Sequence, residues 1–291
     1  MKNKALWIAV FLLPTIIIFL IVFAIPVITV VYTSFFKWKG FSGNMSFVGL
    51  NNYIEAFKND STFRKALSNT VVWILLQSTI HVGIGTLLAL ILSKKPRGWK
   101  FIRTSYMIPN IISASALAMI FLNVFNPQFG IVNSVIQALG FENFAKNWYF
   151  DFSTAFPTVT ISWLVYAGLI TILVLAEIMS IPESIFEAAK IDGASEMQIN
   201  LFITLPMLRN ILGTCVIVSA TSMLKEFELI YLTTKGGPVD LTLNLPLYLY
   251  KTALIENNFG YANMMGTTLI IMGIISILLI NKIFRLGKSD V

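Results

Sequence analysis

Charge is what this chain has least of. Only 12% of its 291 residues are Asp, Glu, Lys or Arg, against 56% hydrophobic, where a soluble domain is about 25% charged and about 45–50% apolar. So few polar residues cannot cover the surface of a water-soluble core, which excludes an ordinary soluble domain. The single cysteine, Cys215, excludes an internal disulfide and has no partners for a metal cluster; within its apolar run it reads as a small packing residue. The single histidine, His81, has no acid near it on its own helix for a proton relay and reads as an interior, hydrogen-bonded side chain. No HExxH motif, internal repeat or low-complexity tract is present. Gly287-Lys288-Ser289 supplies the last letters of a phosphate-binding loop, but Lys282 stands where the first glycine belongs and a membrane helix precedes it, so ATP is not bound here. The net charge of +7 lies in short basic clusters between apolar runs. That placement belongs to membrane helices, and no basic face for nucleic acid exists.

What is present is long apolar runs. A hydrocarbon core ~30 Å thick takes ~20 helical residues to cross, and six segments qualify, at about 5–35, 68–92, 101–125, 155–179, 211–232 and 261–284. The first exceeds the ~7–15 apolar residues of a cleaved signal peptide and reads as an uncleaved span. Pro14 and Pro26 interrupt the first span and Pro109 the third; such breaks survive in lipid where neighbours re-satisfy the freed carbonyls. The third also carries Asn110, Ser113, Ser115 and Asn123, which place it toward the interior. The expectation is an all-α polytopic membrane protein, one transmembrane domain over residues 1–291. With both termini inside, the inner segments hold twelve Lys and Arg and the outer ones eight, Lys225 falling within a span. The cluster Lys94–Arg103 decides the orientation, since short loops dominate the positive-inside rule. Of the outer segments, the stretch from Phe129 to Leu139 is amphipathic and too short to span, and belongs at the interface.

The longest inner segment, 181–210, is patterned as a helix-turn-helix. Ser184 and Glu187 fit a capping box. Ile185, Ala188, Ala189 and Asp192 then recur at helical spacing, and Gly193 is placed to end the helix in the left-handed conformation. Ser195 with Gln198 forms a second box, and Pro206 leads into the fifth span. Small Ala188 and Ala189 let the short helix sit closely in a groove of another body.

The run Glu187-Ala188-Ala189-Lys190-Ile191-Asp192-Gly193-Ala194, followed by Ile203-Thr204-Leu205-Pro206, resembles the EAA loop of binding-protein-dependent ABC importer permeases. Phe47–Tyr53, Asn69-Thr70, Gly130–Asn133 and Thr234–Pro238 are similar to the carbohydrate-type, maltose-transporter-like branch, so the resemblance runs almost end to end. Glu177 departs from it, standing where the family has a small or uncharged residue. The resemblance implies a permease subunit of a bacterial or archaeal cell (inner) membrane, with cytoplasmic termini and no chemistry of its own. It pairs with a second homologous permease. Two cytoplasmic ATPase subunits, which carry the ATP and Mg, dock on the EAA loops, and an extracellular or periplasmic binding protein delivers the substrate. Ser184–Asp192 becomes the coupling helix, with Gly193, Leu205 and Pro206 completing the ATPase-coupling set. No catalytic, metal or cofactor residue is expected.

Charges inside a span read first as functional. In the fifth span Ser219, Ser222 and Glu226 share one helical face, and Thr221, Lys225 and Glu228 its neighbour, as expected of a wall lining a watery path. By resemblance, sugar passes along these later helices. The alternatives are that Lys225 snorkels to the interface or pairs with Glu228 along the helix. Trp163, Tyr166 and Asn123 complete the candidate pathway, the two aromatics as stacking faces for sugar. The cargo expected from the resemblance is an oligosaccharide, the alternatives being glycerol 3-phosphate or another polyol derivative, or ion-coupled secondary transport. A phosphorylated ligand calls for a Lys or Arg cluster, and Lys225 alone beside two glutamates favours a neutral sugar.

Overall fold

In hydrocarbon every backbone N–H and C=O must be satisfied without water, so the apolar runs have to become helices. The computed structural model describes residues 3–40 and 43–287. Four of its helices are long and apolar enough to cross a bilayer: Val10–Thr33, Ser61–Ser93, Ala155–Ser180 and Phe259–Phe284. Two bent pairs, Trp99–Ile111 with Ala114–Val124 (106°) and Glu196–Met207 with Arg209–Thr233 (69°), make six if each pair is one span. The architecture is the all-α polytopic one, with one addition. A short antiparallel hairpin pairs Phe36–Trp38 with Met45–Phe47, Phe36 opposite Phe47. Lys2, Lys288 and Ser289, which entered the charge count and the loop match, lie outside the described residues.

The prolines act in two ways. Proline lacks an N–H and its ring clashes with the carbonyl four residues back. Ahead of Pro26 the helix widens into a π turn over Leu20–Ala24, with the Ile25 N–H reaching back five residues to Leu20 O. The same device precedes Pro206, where Asn200–Thr204 is π-helical and the Leu205 N–H donates to Asn200 O. These helices stay continuous. Pro109 instead stands just before a true break: the helix ends at Ile111, Ile112 is extended, and Ser113 caps the next helix by accepting the Ala116 N–H.

The chain divides into two compact units, Met1–Arg64 with Tyr248–Ile271, and Lys65–Leu247 with Met272–Val291. In the first, Asp60 is the main clasp. Its Oδ1 accepts the Phe63 N–H at 2.9 Å, and its Oδ2 accepts the hydroxyls of Tyr248 at 2.7 Å and Tyr261 at 2.8 Å. Asn52 donates to Ser34 O and Phe36 O, holding the Phe47–Tyr53 stretch to the end of the first helix.

In the second unit Asn69 donates to Leu241 O and Leu243 O, and Thr70 Oγ1 accepts the Leu245 N–H. Asn133 donates to Pro127 O and Lys146 O and accepts from Trp148 Nε1. The short motifs Asn69-Thr70 and Gly130–Asn133 are thus backbone clamps. Gly85 is a close-approach glycine: a Cβ there would lie 2.7 Å from Ile170 Cβ, whereas Gly83 faces open space.

Candidate functional site

Four membrane-crossing segments lose α-helical regularity around one cavity of about 240 Å³. The second span widens into a π turn at Gln77–His81, and both end residues of that turn line the cavity. The third breaks at Ile112–Ser113, beside the lining residues Pro109, Asn110 and Ala114. The fourth breaks at Val165–Ala167. Its three freed carbonyls are caught by other helices: Leu164 O by His81 Nδ1 at 2.8 Å, Val165 O by the Tyr106 hydroxyl, and Tyr166 O by Asn110 Nδ2 at 3.5 Å. The fifth breaks between Met223 and Glu228. There Asn244 Nδ2 donates to Glu226 O, and Glu226 Oε1 accepts the Leu229 N–H at 3.3 Å. Non-helical backbone is tolerated within a membrane where it is buried in protein or lines a cavity, and each break here is bonded accordingly.

Among the described residues, four buried side-chain polar atoms have no hydrogen-bond partner. Three of them, Gln77 Oε1, Trp163 Nε1 and Ser219 Oγ, belong to the wall of this cavity. These residues are only 7%, 8% and 2% exposed, so leaving those atoms unmet is costly unless a ligand or water meets them. Trp163 is held from behind by an edge-on contact with Trp73, whose own Nε1 is satisfied by Thr160. Tyr166 leans on Phe121 with ring centroids 5.6 Å apart.

Of the expected pathway residues, the structure brings Trp163, Tyr166, Ser222 and Glu226 together on this wall. Asn123 is not on it; its Nδ2 donates back to Met119 O on its own helix. Lys225 and Glu228 are exposed and do not line the cavity. Glu228 accepts from Ser115 Oγ, and no ion pair joins it to Lys225 among the described residues. The expectation of two adjacent polar faces assumed an unbroken fifth helix. The break after Met223 removes that periodicity and turns Lys225 away. Gln77 was not anticipated, and its only signal was a lone amide in an apolar run.

The loop between the fourth and fifth spans forms a helix over Glu183–Ile191. The expected Ser184–Glu187 capping box is absent: Pro182 occupies the cap position, the helix starts one residue before Ser184, and no side chain caps it. Its far end is a Schellman motif, with the Gly193 N–H on Lys190 O, the Ala194 N–H on Ala189 O, and Gly193 at φ +78°. Ser195 and Gln198 form a complete capping box. Ala189 is buried, while Ser184, Glu187, Ala188 and Asp192 are exposed. Leu205 and Pro206 fall in the short helical turn before the 69° bend. Glu177 is exposed near the end of the fourth span. A groove of about 460 Å³ beside this helix is lined by Lys94, Glu183, Glu187, Lys190 and Glu196 among others, and an ion pair between Lys94 and Glu196 ties the loop after the second span to it.

A polytopic helical protein with a bonded, partly unsatisfied polar cavity among its crossings, and a capped helix between two of them, is of the transport-permease class. Residues 81–287 match the family described as "Binding-protein-dependent transport system inner membrane component", and the chain belongs to that family. It is 34% identical to the "Probable ABC transporter permease protein YurN" of Bacillus subtilis, over 96% of each chain. It is 30% identical to the "Diacetylchitobiose uptake system permease protein NgcF" of Streptomyces coelicolor, over 94% of this chain and 81% of that one. In fold it is similar to a chain of a bacterial alginate ABC transporter solved with an alginate pentasaccharide-bound periplasmic protein. That match has a TM-score of 0.83 at 24% identity and covers 99% of this chain and 97% of that one.

Proposed function

We propose that this permease forms, with a second homologous permease, the translocation path for a sugar, in particular an oligosaccharide, handed over by an external binding protein. The observation that carries this is the cavity where one crossing widens, three break, and three buried polar atoms wait for partners. Sugar hydroxyls both donate and accept, and Trp163 and Tyr166 offer ring faces beside those atoms. The diacetylchitobiose named for one relative and the pentasaccharide in the alginate structure are carbohydrates, in keeping with that chemistry.

The helix Glu183–Ile191 serves as the coupling helix for a cytoplasmic ATPase subunit that carries the ATP and Mg, which places both termini in the cytoplasm. Ile191, 86% exposed, and Met197, 70% exposed, offer apolar surface on this loop for that partner. Reconstituted with its co-purifying subunits in vesicles, the complex is expected to take up labelled oligosaccharide only when ATP is supplied on the inner-loop side. Ser219→Leu, which fills the cavity, is expected to abolish uptake while leaving subunit assembly intact. Uptake that persists without ATP, or is unchanged in Ser219→Leu, overturns the proposal.

A further inference from the structure

Two contacts fix where Gln77 stands. One helical turn before it on the second span, Trp73 meets the Trp163 ring edge-on, with centroids 6.4 Å apart. Past it, at the far end of the widened turn, His81 Nδ1 donates to Leu164 O, the carbonyl next along from Trp163, at 2.8 Å. The second span is thus held to the Trp163–Leu164 stretch on both sides of Gln77, which sets Gln77 across from Trp163 on the cavity wall. The two side chains are 7% and 8% exposed, and Gln77 Oε1 and Trp163 Nε1 are each without a partner, one for the other included. An amide oxygen can only accept and an indole N–H can only donate, and neither group titrates, so these roles do not depend on pH. Ser219 Oγ, the third unmet atom, can do either and sets no such demand. A single group that satisfies both Gln77 and Trp163 must accept and donate at once. A hydroxyl does so. An ether oxygen accepts from the indole but has no proton for the amide, and a bare C–H serves neither.

Resting on the sugar-pathway reading above, we infer that Gln77 and Trp163 form a subsite that reads one free sugar hydroxyl, which accepts from Trp163 Nε1 and donates to Gln77 Oε1, and that Gln77 is the residue that selects free sugars over O-alkylated ones. Leaving a buried acceptor unmet in the bound state lowers affinity by about tenfold.

The test uses the importer complex, purified through this chain into lipid nanodiscs. The probes are maltotriose and chitotriose, each free and with its hydroxyls O-methylated, and affinity is read by calorimetric titration. Each free sugar is expected to bind about tenfold tighter than its O-methylated form. Gln77→Met, which keeps the side chain's length and loses the acceptor, is expected to weaken the free sugars alone and to close that gap to about threefold or less. Trp163→Phe keeps the ring and loses the N–H. It is expected to weaken both forms alike, since each offers an oxygen to that donor. The ultraviolet Raman band that reports indole N–H bonding, assigned to Trp163 by its loss in Trp163→Phe, is expected to shift when either form binds. Equal native affinity for free and O-methylated forms overturns the hydroxyl reading and leaves the pathway reading standing. A gap that persists in Gln77→Met has its source in the bulk of the methyl groups and overturns the assignment to Gln77. A Trp163 band unmoved by a bound sugar overturns the part given to Trp163. Silence of all four probes overturns the pathway reading and this inference with it.

Discussion

Asp60 concentrates three bonds on one carboxylate, which makes its removal a sharp test of the first unit. Asp60→Ala deletes the acceptor for the Phe63 N–H at the start of the Ser61–Ser93 helix, and the acceptor shared by the hydroxyls of Tyr248 and Tyr261. An N-cap is worth about 1 kcal/mol, and a hydrogen bond to a charged group about 1.5–3 kcal/mol. Asp60 is half-buried, and the two phenols share one oxygen, so the contributions overlap, and a total near 3 kcal/mol is expected. Asp60→Asn keeps an oxygen for the cap and offers an amide N–H to the phenol oxygens, for a loss of about 1 kcal/mol. Thermal unfolding of the purified complex is the assay, run as a cycle with the Tyr248→Phe, Tyr261→Phe double variant. The two tyrosine changes are expected to lower the melting temperature in the native background and to have almost no effect once Asp60 is alanine. An Asp60→Ala protein that melts with the native one, or tyrosine effects that persist undiminished without Asp60, would refute the clasp.

Gly193 has open space where a Cβ would point but sits at φ +78°, so its constraint is conformational rather than steric. Gly193→Val is expected to cost about 1–2 kcal/mol in the left-handed region and, on the proposed coupling role, to reduce the ATPase activity recovered with the complex, while Gly193→Asn stays near native; equal recovery in both variants would sink the cap argument. Asp151 accepts the Ser153 hydroxyl and N–H, and these bonds, ahead of the Lys146 charge, hold its carboxyl below the ordinary aspartate range. A depressed value stabilises the folded segment above the ordinary range, and that contribution is lost as pH falls through the depressed value. Amide exchange at Ser153, corrected for intrinsic rate, is expected to accelerate only in strongly acidic solution. Ser153→Ala is expected to move the onset of faster exchange at the neighbouring Thr154 to higher pH, and an unmoved onset would refute the assignment.

The spans were legible because their signal is length and apolarity, which lipid imposes on any crossing. The loop between the fourth and fifth spans was legible through Gly193 and Ser195, whose backbone needs are local. The Ser184–Glu187 box failed because the helix starts at Glu183 with Pro182 at the cap position, which leaves Ser184 inside the first turn. The cavity was half legible. Trp163, Tyr166, Ser222 and Glu226 stood out as polar or aromatic residues in spans, but the positions of Lys225 and Glu228 depend on where the fifth helix breaks. That break is held by Asn244, some twenty residues on, and no periodicity within the span carries it. Gln77 was hidden for a similar reason, since its role comes from a widened turn that no residue type announces.

That turn, Gln77–His81, holds one residue more than an α-helical turn of the same height. Deleting any one of its five residues would let the helix close into an ordinary α-helix with its backbone ladder whole. The fold of that segment would survive, and the residues after it would keep their facing, because five residues at the wider pitch turn through about the same angle as four α-helical ones. Gly85 would stay against Ile170, and only the stretch of wall between Gln77 and His81 would be redrawn. The extra residue thus lets this part of the cavity wall change without disturbing the helix packing on either side of it.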